Sequence, residues 1–117
     1  MNSEYVYINE VGPRDGLQNQ KTILSSEIRL NLINHLIDAK LPGMEVASFV
    51  SPKAVPAMEG AHEIIQSLAG NAKGCEISVL VPNMKGFEMA HEAGAEIITV
   101  VPSATETMNQ KNINMGL

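Results

Sequence analysis

The sequence predicts an α/β fold in which parallel strands form a sheet and helices pack outside it. Three observations predict this. Four short segments rich in Ile and Val recur along the chain, each is followed by a Gly- or Pro-marked loop and then a stripe of apolar residues at helical spacing, and no low-complexity linker interrupts the alternation. A strand followed by a helix and then another strand returns the chain in the same direction, so the strands should be parallel and the crossovers right-handed. With 117 residues, 44% of them apolar, the chain is expected to form one domain, 1–117, with a hydrophobic core. A closed eight-stranded barrel takes about 250 residues. Spacing therefore leaves open a small open sheet or about four βα units of a barrel.

Taken in order, Tyr5-Val6-Tyr7-Ile8 is the first strand candidate, and Val11 to Asn19, with Gly12, Pro13 and Gly16, is a loop. Ser25 or Ser26 caps a helix whose stripe is Ile28, Leu32, Leu36 and Ala39, ending near Lys40 before Pro42 and Gly43. Met44 to Phe49 is the second strand. A loop from Ser51 to Pro56 follows, and Met58, Ala61, Ile64, Ile65 and Leu68 mark a second helix that Gly70 stops. Ile77 to Val81 is the third strand. Pro82 and Asn83 open a third helix toward Gly94, and Ala95 to Val101 is the fourth strand.

Charge and composition exclude several classes of function. The net charge is -5, and the 8 basic residues form no cluster, so the positive footprint of a nucleic-acid binder is missing. The single cysteine, Cys75, cannot form an intrachain disulfide, which suits a reducing compartment such as the cytoplasm. Met1 to Glu10 has neither secretory nor mitochondrial-transit character. Apolar runs such as Ile97 to Pro102 fall far short of the roughly 18 residues of a membrane span. A soluble protein without a membrane or nucleic-acid partner is expected.

The chemistry concentrates in the loop after the first strand, Glu10-Val11-Gly12-Pro13-Arg14-Asp15-Gly16-Leu17-Gln18-Asn19. The carboxyl end of a strand is where α/β proteins place ligands, and here a cation, a carboxylate and an amide fall within five residues. A metal or oxyanion site is one reading. Spacing alone favours the other, a surface ion pair between Arg14 and Asp15 beside a tight turn. Likewise Glu45 reads equally as a functional carboxylate or as a strand-end group bonded to a neighbouring loop.

The string Val-Gly-Pro-Arg-Asp-Gly-Leu-Gln-Asn at 11–19 resembles the signature of the hydroxymethylglutaryl-CoA lyase family. Glu45-Val46-Ala47-Ser48-Phe49-Val50-Ser51-Pro52-Lys53, Pro82-Asn83-Met84-Lys85-Gly86-Phe87-Glu88 and Lys111-Asn112-Ile113-Asn114 are similar to later segments of the same family, in the same order. Related synthases of isopropylmalate or homocitrate share Arg-Asp-Gly and the Gln but lack Gly12-Pro13 and Leu17. The resemblance implies the N-terminal part, about four βα units, of a TIM (β/α)8 barrel, and a metal-assisted retro-Claisen cleavage of an acyl-CoA.

Carried over by position, the resemblance makes Asp15 a ligand of a divalent cation, Mg or Mn, and Arg14 the group that binds the thioester carbonyl and stabilises the developing enolate. Glu45 would orient Arg14 or the substrate, and Gln18 would support the loop. Lys53, Lys85, Lys111 and Asn112 are minor candidates for CoA phosphates, since loop lysines are mostly solvated. His35, His62 and His91 lie within helical stripes without metal-ligand spacing and are read as surface or packing residues. Cys75 precedes the third strand and is read as structural, not as the family's catalytic cysteine. The methionines fill core.

The family's His-x-His ligands and glycine-rich cysteine loop have no counterpart in these residues, so the 117 residues alone are expected to be inactive. A fourth strand with Ile97, Ile98, Val100 and Val101 at the sheet edge is expected to drive homo-oligomerisation or other self-association. Two further readings stand beside the lyase: an aldol-type acyl-CoA synthase of the same barrel group, and a noncatalytic half-barrel that binds or assembles with a partner.

Overall fold

The computed structural model describes residues 4–102 and 104–108. Its strands are β1 (Asn9–Glu10), β2 (Gly43–Ser48), β3 (Glu76–Leu80) and β4 (Ile97–Thr99), and its principal helices are α1 (Ser26–Asp38), α2 (Ala61–Leu68) and α3 (Met84–Ala93). The strands form one parallel sheet in the order β1-β2-β3-β4. Sequential strands are therefore spatial neighbours, as a barrel segment requires.

Local signals set most of the boundaries. Ser25 caps α1 by accepting the Ile28 amide at 3.2 Å, and Asn83 caps α3 by accepting the Gly86 amide at 2.8 Å. Gly94 ends α3 in the left-handed region at φ +95, a conformation a side chain disfavours. The second helix starts at Ala61, three residues later than Met58, because Gly60 at φ +87 breaks the helical path and leaves Pro56–Met58 as a separate 3-10 turn.

The first strand departs most from expectation. Pairing occurs at Asn9 and Glu10, opposite Gly43 and Met44, and not at Tyr5–Ile8. Pro42, just before Gly43, turns its carbonyl toward β3, where it accepts the Glu76 amide at 3.0 Å. Tyr7 donates its hydroxyl to the same Pro42 carbonyl at 3.1 Å, and Tyr5 to Ile8 remain exposed.

One core holds the layers together. Ile33 and Ile37 of α1, Ile64 and Leu68 of α2, and Ala90 of α3 meet Met44, Val46 and Val79 of the sheet, each nearly excluded from solvent. Apolar area removed from water in this way is the main stabilising term. The opposite face of the sheet carries polar groups, among them Glu45 and Ser78.

A charge is buried in the layer between α1 and the segment before α2. Arg29 is 1% exposed and donates Nη1 to the Glu59 carbonyl at 2.5 Å, and its Nε and Nη2 have no partner among the described residues. Burial pushes its pKa below the ordinary guanidinium value, a direction that reports a penalty on the charged form. Because arginine stays protonated throughout the working range, the penalty is constant with pH and not a switch. Arg29→Met keeps much of the stem and removes the charge, and is expected to raise stability by about 1 kcal/mol and the melting temperature by several degrees. A lower melting temperature in thermal denaturation would show that the single carbonyl contact outweighs the desolvation cost.

Candidate active site at the carboxyl end of the sheet

The loop after β1 is wound more tightly than its glycines and proline suggested. Residues Gly12–Gly16 form a wide helical turn in which the Val11 carbonyl receives the amides of Arg14, Asp15 and Gly16 at 3.1, 2.7 and 3.3 Å. The last of these closes an i to i+5 ring, the form of helix found as isolated turns at functional sites. Pro13 sits in the first turn, where a missing N–H costs nothing, and the Gly12 amide donates to Glu10 Oε2 at 3.0 Å.

This turn packs on β2 and brings together the four residues singled out from the sequence. Arg14 Nε donates to Glu45 Oε1 at 2.5 Å, and Arg14 Nη1 donates to Asp15 Oδ1 at 3.2 Å and to Gln18 Oε1 at 3.3 Å. Glu45 is 31 residues from Arg14 in sequence, so only the pairing of β1 with β2 creates this contact. The Glu45 side chain is 5% exposed, that of Arg14 17% and that of Asp15 62%. A guanidinium plane is thus clamped from the interior by a buried carboxylate, while its neighbour Asp15 faces outward.

Such a clamp has chemical consequences. A guanidinium fixed along one edge by a carboxylate is a preorganised donor, the kind of group that can meet an oxygen that gains charge. Asp15, an exposed hard oxygen donor beside it, suits an oxygen-seeking divalent cation. Among the described residues, however, no group of three or more His, Cys, Asp or Glu side chains could hold a metal. Asp15 alone fits as one ligand of a larger set.

The other candidates separate from this cluster. Lys53 is exposed in the turn after β2, and Lys85 lies in the first turn of α3 instead of a loop, also exposed. Lys111 and Asn112 lie outside the described residues. His35, His62 and His91 are exposed on their helices, with His91 stacked 6.2 Å from Phe87. Cys75 is free and buried at the amino end of β3, away from the clamp, and burial raises its thiol pKa. Two polar groups at the site were not singled out from the sequence: Glu10, whose carboxylate ties down the turn, and Ser48, which is 1% exposed at the end of β2. A carboxylate directly before the glycine turn was a legible signal for the first; the second had none.

Comparison with known proteins identifies the setting. The HMGL-like family model matches residues 5–117. Hydroxymethylglutaryl-CoA lyase, mitochondrial, from Homo sapiens is 45% identical over 112 residues, 96% of this chain and 34% of the relative. The Mus musculus protein named 3-hydroxy-3-methylglutaryl-CoA lyase, cytoplasmic, is 45% identical over 114 residues, 97% of this chain and 33% of the relative. Among solved structures, the HMG-CoA lyase of Bacillus subtilis superposes with a TM-score of 0.86 at 42% identity, covering 95% of this chain and 37% of that one. The Brucella melitensis enzyme gives 0.86 at 44%, covering 97% and 40%. The chain spans about a third of the length of these curated relatives. Its four parallel strands and intervening helices are the N-terminal part of the TIM barrel those structures share, and the chain belongs to the HMGL-like family.

Proposed function

We propose that this chain supplies the thioester-binding part of a hydroxymethylglutaryl-CoA lyase, which cleaves 3-hydroxy-3-methylglutaryl-CoA to acetoacetate and acetyl-CoA. The observation that carries the reading is the clamp of Arg14 by Glu45, Asp15 and Gln18 at the carboxyl end of the strands. An HMG-CoA lyase 36% identical to this chain has been solved in complex with coenzyme A and 3-methylmalate, which supports an acyl-CoA as the ligand class.

In this reading a base removes the tertiary hydroxyl proton, the carbon-carbon bond breaks, and its electron pair passes into the thioester to leave an enolate that is then protonated on carbon. Arg14 donates to the thioester oxygen, where negative charge grows as the bond breaks. Glu45 holds the guanidinium in the orientation that this requires, and Gln18 fixes the turn. Asp15 would be a ligand of a divalent cation, Mg or Mn, whose positive charge would polarise the substrate's oxygens. The reducing interior of the cytoplasm suits the free Cys75, while relatives carry both mitochondrial and cytoplasmic names. No helix among the described residues is long and apolar enough to cross a membrane.

The test is a chimera in which this segment replaces the corresponding third of the Bacillus subtilis lyase. Turnover of 3-hydroxy-3-methylglutaryl-CoA is expected from the chimera and none from the 117 residues alone. A well-folded chimera without turnover would overturn the lyase reading, and cleavage by the 117 residues would overturn their inactivity.

A second reading, a noncatalytic half-barrel that assembles with a partner, is favoured by one feature. Among the described residues, strand β4 pairs only with β3, and Ile97, Ile98, Val100 and Val101 are 38 to 62% exposed along that margin. An apolar edge with open backbone groups recruits further strands. The 117-residue chain is expected to self-associate, with a sedimentation coefficient that rises with concentration. A monomer at every concentration tested would contradict this.

A further inference from the structure

The polar face of β2 holds a hydroxyl that the mechanism above does not use. In an unbroken strand, Glu45 and Ser48 are an odd number of residues apart and would point to opposite faces. The strand is broken: Glu45 pairs with Ser78, Ala47 with Val79 and Ser48 with Leu80, so one extra residue is inserted between Glu45 and Ala47. Ser78 and Leu80 share a face of β3, and therefore Glu45 and Ser48 share the matching face of β2. Bulges commonly re-aim a side chain in this way beside active sites.

Ser48 lies two ladder positions beyond Glu45, about 7 Å toward the carboxyl end of the strand. It is 1% exposed, and among the described residues its Oγ has no hydrogen-bond partner, whereas Ser78 on the same face donates to the Met44 carbonyl at 3.3 Å. A buried hydroxyl left unpaired costs stability, and such costs gather where function requires them. Glu45 has the complementary need. Its buried carboxylate is held by Arg14, and an acyl oxygen that draws on the guanidinium weakens that hold where water cannot substitute.

We propose that Ser48 is a positioning residue of the acyl-CoA site: its hydroxyl donates to Glu45 when Arg14 engages the ligand, keeping the carboxylate in place. This rests on the function proposed above. It would make the bound arrangement a relay of Ser48 to Glu45 to Arg14, with Ser48 never touching the ligand.

The test is calorimetric titration of 3-hydroxy-3-methylglutaryl-CoA, in Mg-containing buffer, into the 117-residue chain and its Ser48→Ala, Ser48→Thr and Glu45→Gln variants, with melting temperatures measured in parallel. Ser48→Ala is expected to melt no lower than the parent, since an unpaired hydroxyl is removed, yet to bind at least 5-fold more weakly. Ser48→Thr retains the hydroxyl and restores affinity, and Ser48→Ala adds no further loss in the Glu45→Gln background, because the coupling runs through that carboxylate. Unchanged affinity in Ser48→Ala overturns the proposal while leaving the functional reading intact. A lower melting temperature with unchanged affinity makes Ser48 purely structural and also overturns it. A parent chain that does not bind the ester overturns the functional reading, and the proposal falls with it.

Discussion

Arg14→Met in the active chimera is expected to lower kcat for 3-hydroxy-3-methylglutaryl-CoA by about 10²- to 10³-fold, the loss seen when one preorganised donor to a developing oxyanion is removed. The structure gives the reason for expecting a kcat effect. Arg14 is oriented before any ligand arrives, by Glu45 from below and by Asp15 and Gln18 alongside, so no reorganisation is needed as charge develops. Methionine matches the stem but leaves the Glu45 carboxylate buried without its cation, and the two defects add at the same place. Arg14→Lys should recover only part of the loss, because an ammonium cannot satisfy Glu45, Gln18 and a substrate oxygen through one planar fork. Steady-state kinetics separate the possibilities. A raised KM with unchanged kcat would mean that Arg14 binds ground state and transition state alike, and would remove it from the chemistry.

Gly86→Ala is expected to destabilise the chain by about 2 kcal/mol, against the sign that its helical position implies. A glycine inside a helix ordinarily costs about 1 kcal/mol relative to alanine, so on propensity alone the substitution should help. Gly86 has an unstrained helical backbone in α3, but a Cβ there would stand 2.6 Å from the Phe49 carbonyl oxygen and 3.1 Å from Pro82 Cδ. The first contact is backbone and cannot swing away. Either α3 moves off the end of β2 or the segment after Ser48 shifts, and both loosen the core around Ala90 and Val81. Urea denaturation measures the change directly. An unchanged or higher midpoint would show that the helix moves freely relative to the strand.

Much of this protein is legible without its tertiary structure, and the legible part is local. The alternation of strands and helices follows from apolar period, and the starts and stops at Ser25, Asn83 and Gly94 follow from capping groups within three residues of the turns they satisfy. The resemblance of residues 11–19 to the lyase signature gathered Arg14, Asp15 and Gln18 because they lie within one turn of each other. What tertiary structure alone decided involves partners distant in sequence. The pairing with β2 takes in Asn9–Glu10 and leaves the more strand-like Tyr5–Ile8 outside the ladder, with the Tyr7 hydroxyl on the Pro42 carbonyl. The pairing of β1 with β2 turns Glu45 from a strand carboxylate into the clamp on Arg14. The inserted residue in β2 reverses the parity that would have hidden Ser48 on the opposite face, and the approach of Phe49 makes Gly86 a packing requirement. In each case the deciding energy comes from a contact between segments 30 or more residues apart, whose geometry no local period or cap encodes.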